Sequence, residues 1–334
     1  MTRNSTLSIL GIASLFVAYG AAIAAPPQPH VFAPGTISGP QNDASPAFTP
    51  DGRTVFFMRG EHGNWTLMQS RRVCDGWSTP QTTPFSGHWR DLDPAMAPDG
   101  SYLLFVSNRP TQPDGKKLDA VDRHGKVYPG YGMNIWRVDR RGKGWGKPVR
   151  LPAYINTSTA TFAPSIAADG SIYYMAHDKS GTARLFRAKY LNGRYQKPML
   201  VALGHADDTI RDPAIAPDQS FIVFSIARAG GKQQLRLAIA FRENGHWGKP
   251  IDLGDTVNDA RYALGSQLGP DHRTLYFYNA HVDTRHPAGS GTWNNGKMTN
   301  IWSVSLAPWL GAHRGRVASR RAADARASLT GTSP

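Results

Sequence analysis

The stretch Asp91-Leu92-Asp93-Pro94-Ala95-Met96-Ala97-Pro98-Asp99-Gly100, with the apolar run Tyr102 to Val106 behind it, decides the fold because it recurs. Near-complete copies run from Asp43 to Gly52, from Thr161 to Gly170 and from Arg211 to Gln219, and a weaker fifth runs from Tyr262 to Asp271. A period of roughly 50 residues marks one supersecondary unit used repeatedly. Small residues follow the first proline (Ala47, Ala95, Ser165, Ala214), as inner strands crowding a common axis require. Pro-Asp-Gly then turns the chain, since Pro presets φ, Asp bonds its own backbone and Gly accepts positive φ. The apolar run after the turn, such as Val55 to Met58 or Phe221 to Phe224, predicts a strand covered on both faces.

Working outward, a third strand is expected at Trp65 to Gln69, Asn134 to Val138, Ala183 to Ala188, Gln234 to Ala240 and Asn300 to Val304. A hairpin reading aromatic, two residues, then proline follows in four repeats: Trp77 and Pro80, Trp145 and Pro148, Tyr195 and Pro198, Trp247 and Pro250. Proline suits an outer edge strand, where its missing N–H faces solvent. The fixed place of the aromatics predicts packing between units rather than a sugar-stacking row. The fifth repeat ends near Trp309 without this outer element, while Pro29-His30-Val31-Phe32 stands unassigned near the other end. The N-terminal segment is therefore expected to complete the last sheet and close a ring. The fold class that follows is all-β: a single β-propeller of four-stranded blades, five favoured and six the alternative.

The Asp-x-x-Pro-x-x-x-Pro-Asp-Gly pattern resembles the WD-like repeat of TolB-type β-propellers over about residues 29 to 309. TolB resembles a six-bladed propeller joined to a separate N-terminal domain, for which this chain has no room. TolB's particular partners are therefore not carried over.

The first residues read as an export signal: Arg3, an apolar stretch from Leu7 to Ala18, then Ala22-Ile23-Ala24 as a cleavage site. Residues 1–24 are expected to leave, 25–310 to form the propeller, and 311–334 to be a basic Ala/Arg-rich tail without a fold or at most a transient helix. The mature chain is expected in the periplasm or secreted, monomeric and with no transmembrane span. The single cysteine, Cys74, excludes an intrachain disulfide, so stability must come from packing and closure. A formal net charge of +14 favours anionic partners such as polyuronates or lipid phosphate, and export argues against a genomic role. No specific nucleic-acid partner is expected, because no basic helix carries a groove-reading pattern.

Two repeats carry extra sequence between their second and third strands. One, Ser107 to Met133, holds Arg109, Lys116, Lys117, Arg123, Lys126, Tyr128 and Tyr131; the other, Asn279 to Thr299, holds His281, Asp283, Arg285, His286 and Trp293. In a four-stranded blade these loops share a face with the blade-to-blade connections, and the same face is expected to receive Trp89, Arg90, His177, Asp178, His205, Asp207, Asp208, Arg228, Arg261 and Tyr262. Long loops on a rigid scaffold are where binding concentrates. The opening aspartates Asp43 and Asp91 are expected to bond loop backbone. No Gly-x-Ser-x-Gly elbow, phosphate loop, dinucleotide fingerprint or zinc helix occurs, so no catalytic residue, metal or cofactor is assigned. The expected function is non-catalytic binding of a protein or an anionic envelope polymer through the loop-rich face. The alternative is a lyase or glycoside hydrolase working in the central funnel with His177, Asp178, His205, Asp207 and His281.

Overall fold

Five antiparallel sheets stand around one axis in the computed structural model, each built from consecutive strands. It describes residues 27–330 apart from 62–63, 123, 179–181, 231–233, 259–262 and 280–298. The export signal lies outside the described residues. Blade 1 comprises Asn42–Phe48, Thr54–Glu61 and Asn64–Val73; blade 2, Asp91–Met96, Tyr102–Ser107 and Asn134–Arg141; blade 3, Thr161–Ile166, Ile172–His177 and Ala183–Ala188. Blade 4 comprises Thr209–Ile215, Phe221–Ala227 and Arg236–Glu243, and blade 5, Ala263–Leu268, Thr274–Asn279 and Asn300–Ser305. Short outer strands such as Gln81–Thr82, Val149–Arg150, Met199–Leu200 and Ile251–Asp252 finish blades 1 to 4.

The fourth strand of blade 5 is His30–Val31, which pairs antiparallel with Asn300–Ser305 in the register His30 to Ser303 and Val31 to Trp302. Phe32 N–H donates to Ile301 O at 2.8 Å, and Ser38 Oγ accepts from Ile301 N–H at 3.2 Å. The expected closure is thus present, and it ties together segments at opposite ends of the chain.

Hydrophobic burial is divided among the interfaces between blades rather than gathered in one centre. Ala95, Leu104, Ile135, Ile172 and Tyr174 fill the space between blades 2 and 3, while Val223, Ile239, Leu275, Phe277 and Trp302 fill that between blades 4 and 5. The outer-hairpin aromatics belong to these interfaces. Trp145 of blade 2 meets Phe56 and Phe85 edge-on, each at 5.6 Å, and Trp247 of blade 4 meets Tyr173 of blade 3 at 6.4 Å. Arg140 and Arg242 cover their outer faces. Each inner strand's following turn closes as an Asx turn: Asp51, Asp99, Asp169, Asp218 and Asp271 accept from the N–H two residues on.

The tail differs from expectation. Ala307–Thr330 forms an α-helix. Its first turns are held by packing: Trp309 and Leu310 lie against the core between blades 4 and 5, and His313 stacks flat on Phe241 at 3.9 Å. Arg320 then pairs with Glu243 at 3.1 Å. An Ala- and Arg-rich segment has high helix propensity, and docking supplies the nucleus that an isolated peptide lacks.

Candidate functional site

The two ends of the central channel differ in chemistry. At the turn end, Pro50, Pro98, Pro217 and Pro270 ring a cavity of ≈ 140 Å³ floored by Phe48, Met96 and Leu268. Polar and apolar groups share its lining about equally, Thr49, Ser165, Gln267 and His272 among the polar ones. The opposite end receives the blade-to-blade connections and the blade 2 insertion, and the charged residues gather there.

The aspartates that open the inner strands are committed to ion pairs. Asp43 Oδ1 accepts from Arg59 Nε at 2.7 Å and its other oxygen from Gly39 N–H at 2.9 Å. Asp91 pairs with Arg109 at 3.1 Å, and Ser86 Oγ donates to it at 2.7 Å. In blade 4 the pair is Asp208 and Arg228 at 2.8 Å, with His205 and Ala229 N–H groups also donating to Asp208. Arg109, expected on the binding face, is only 8% exposed. It donates to Phe85 O and Ser107 Oγ and lies over Phe105, so it braces the connection onto the blade. The partner of the opening aspartate is chiefly an arginine from the end of the second strand, not loop backbone alone.

A second set of polar groups forms a belt inside the channel. In every blade the inner strand bulges, with register shifts at Ala44/Ala47, Leu92/Ala95, Phe162/Ser165, Arg211/Ala214 and Leu264/Gln267. Ser45, Asp93, Ala163, Asp212 and Gly265 occupy these bulges with φ of 49, 46, 47, 49 and 64°. A left-handed backbone at a non-glycine residue is unfavourable, so the four non-glycine bulge residues must be held by their surroundings. Asp93 accepts from Ser45 Oγ of blade 1 at 3.4 Å and from Ala163 N–H of blade 3 at 3.2 Å. Asp212 accepts from Gly265 N–H of blade 5 at 3.1 Å. A side chain on Gly265 would strike the Tyr278 ring. Each aspartate therefore ties its blade to the next. Asp93 keeps a little surface open to the channel, yet burial and then the Asp212 charge push its carboxyl from 3.8 up to about 7, against the pull of the Ala163 N–H, Arg211 and Ser45.

Arg90 and Arg211 both act electrostatically on Asp93. Arg90 immediately precedes the inner strand of blade 2, and its backbone is locked to the insertion: Arg90 N–H donates to Asn108 Oδ1 at 2.9 Å, and Asn108 Nδ2 donates to Gly130 O at 2.7 Å. Its guanidinium lies over the Tyr131 ring at 4.6 Å. Arg211 adjoins Asp212 on the inner strand of blade 4. Both arginines lie within electrostatic reach of Asp93, and His177 within that of Arg211 and Asp178. Burial holds the His177 imidazole below its usual range, with Asp178 opposing.

Of the residues expected at the binding face, Arg90 and Tyr131 come together at the channel rim, with His177 near. Trp89 is half-buried beside Arg90, and Tyr128 is 39% exposed on the insertion's own hairpin, donating to Asp122 at 3.2 Å. Asp178 pairs with Arg184 at 3.3 Å; His205 and Asp207 are exposed on the blade 3 to 4 connection. Arg228 is taken by Asp208. Arg261, Tyr262, His281, Asp283 and Trp293 lie outside the described residues. Among the described residues no three His, Cys, Asp or Glu side chains gather as a metal centre requires, and no helix is long and apolar enough to cross a membrane. Asp93, Arg211 and Asp212 are the additions that sequence reasoning missed. A signal existed: only blades 2 and 4 put aspartate immediately before the repeat's first proline, where blades 1 and 3 have Ser45 and Ala163.

No protein-family model matches the chain, and no curated protein matches it in sequence. Solved structures match it in fold. The α-L-arabinofuranosidase of Lactobacillus brevis aligns with a TM-score of 0.52 at 13% identity, over 82% of this chain and 94% of that one. TolB from Acinetobacter baumannii aligns at 0.45 and 15% identity, over 78% of this chain and 53% of that one, so the chain spans about half of that TolB's length. A puromycin-hydrolyzing peptidase of Mycobacterium tuberculosis aligns at 0.38 and 14%, over 71% of this chain and 34% of that one. Likeness at this level is one of fold, and a β-propeller hosts unrelated activities.

Proposed function

We propose that this protein is an exported, non-catalytic propeller that binds an envelope partner, an anionic polymer or a protein, through its loop-rich face. The observation that carries the reading is the blade 2 insertion. It is locked to the channel rim through Asn108 and Arg90 while presenting Tyr128, Tyr131, Val121 and Val127 to solvent, with Tyr131 53% exposed. Aromatic side chains offer large contact area at low entropic cost, and a pinned loop loses less freedom on binding than a free one. The surplus of positive charge adds attraction for anions.

A second reading, a glycan-cleaving enzyme in the funnel, is favoured by one feature: two carboxyl groups within electrostatic reach of each other, of which Asp93 is raised to about 7 by burial and then by the Asp212 charge. Against it stands their use as acceptors for the Ala163 and Gly265 N–H groups, and the dispersal of the imidazoles expected to serve them. The test is co-sedimentation of the mature chain with isolated envelope polymer, beside a variant in which residues 110–130 are replaced by a short turn. Binding lost on trimming supports the reading. Polymer shortened by the untrimmed protein, or binding indifferent to trimming, overturns it.

A further inference from the structure

Several arginines at this end of the channel are committed to aspartates. Arg59, Arg109 and Arg228 each meet an aspartate at 2.7 to 3.1 Å and are spent in holding the blades. Arg90 and Arg211 are not. Each is half-buried, and in each the Nε–H is buried with no hydrogen-bond partner. An unmet buried donor on a charged group is costly, and native proteins keep few without a reason. A third such donor, on Arg187, has a carboxylate beside it, Asp169 at 3.7 Å. Among the described residues, Arg90 and Arg211, from blades 2 and 4, have none at that range, and both lie within electrostatic reach of Asp93.

The geometry points to an oxyanion site: Arg90 and Arg211 together receive the carboxylate or phosphate of an acidic polyol unit, whose hydroxyls meet Asp212 and Asp93 while Tyr131 closes over it. This rests on the binding role proposed above and names the chemistry of its ligand. Four features select that chemistry. A guanidinium offers paired N–H donors that suit two oxygens of one anion, which a single hydroxyl cannot satisfy. Neutral sugars would leave the second arginine's charge unmet. Both carboxyl groups below have lone pairs left for hydroxyls beyond those met by Ser45, Ala163 and Gly265, and the Asp212 charge repels a second anion, so one acidic group flanked by hydroxyls fits, and a dense polyanion does not. Tyr131, already stacked on Arg90 at 4.6 Å and exposed on its other side, offers a face for a sugar ring or carbon backbone. Uronate units and glycerol phosphate units share this pattern.

The experiment is a calorimetric titration of the full mature chain with three probes: an oligogalacturonate, an oligomer of glycerol phosphate, and a neutral galactose oligomer. Variants are R90Q, R211Q, R211K and, as a charge control on the turn face, R53Q, each checked by thermal melting. Binding of either acidic oligomer but not the neutral one is expected, and which one binds identifies the source of the anion. R90Q and R211Q should each weaken it roughly ten- to hundredfold, the loss of one charged hydrogen bond. R211K, which keeps the charge without the Nε–H, should fall between, and R53Q should match the parent. Equal loss in R53Q, equal binding of the neutral oligomer, or no binding of either acid overturns the inference. Polymer binding that depends on the 110–130 insertion but not on Arg90 or Arg211 would overturn this site alone and leave the broader reading standing.

Discussion

Replacing Asp93 by asparagine should stabilise the protein above neutrality and leave it nearly unchanged in acid. The carboxyl sits in the channel belt, where burial and Asp212 raise it to about 7 from 3.8, with Arg211, Ser45 and the Ala163 N–H opposing. Arg90 also lies within its electrostatic reach, and His177 within that of Arg211. A folded value above the unfolded one means the native state holds the proton more tightly. The group's contribution is therefore full below about pH 4 and is lost as pH rises through about 7. At roughly 1.4 kcal/mol per tenfold change in proton affinity, the rise corresponds to about 4 kcal/mol over the whole range. Asparagine keeps an oxygen for the Ala163 N–H and carries no charge to bury. The stability gap between D93N and the parent should then widen by about 3 kcal/mol from pH 4.5 to pH 8, in favour of D93N. Urea denaturation at both pH values measures it, and the difference between the two proteins cancels the other titrating groups, Asp43 among them. A gap that stays flat with pH, or D93N the weaker protein at pH 8, would refute the assignment of Asp93 as a strained buried acid.

Three further outcomes follow from the same geometry. Arg109→Ala strands Asp91, which is buried and otherwise met by Ser86, and should cost about 3–5 kcal/mol by denaturant titration; a loss under 1 would mean the pair is not a brace. His272 occupies a blade 5 turn at φ 52°, exposed, where blades 1 to 3 have glycine, so H272G should raise stability by about 0.5–1 kcal/mol. Deleting residues 25–38 uncovers the edge of Asn300–Ser305 and should lower the melting temperature and give concentration-dependent light scattering; an unchanged melt would deny the closure its role.

Much of this architecture was legible along the chain because its causes are local. The Pro-Asp-Gly turns, the apolar second strands and the outer aromatics are each decided within a dozen residues, and their repetition gives the blade. Even the closing strand could be found, since a missing element at one end matched an orphan at the other. Where local reading went astray, a distant partner had intervened. Arg109 looks like a loop cation in sequence, but Asp91 and the rim of Phe105 claim it. The basic tail has no apolar stripe to predict a stable helix, yet Trp309, Leu310 and Phe241 give its first turns a seat.

Hydrophobic period and turn chemistry act over short distances, so the repeat, the all-β class and the face on which the loops gather can be read along the chain. Which charges are paired emerges when the blades meet. Asp93 and Asp212 are far apart in the chain and adjacent in effect, since each bulge turns its side chain inward and the closed ring brings blades 2 and 4 to one channel. An ion pair is a property of distance and burial, and a linear sequence records neither until the ring is closed.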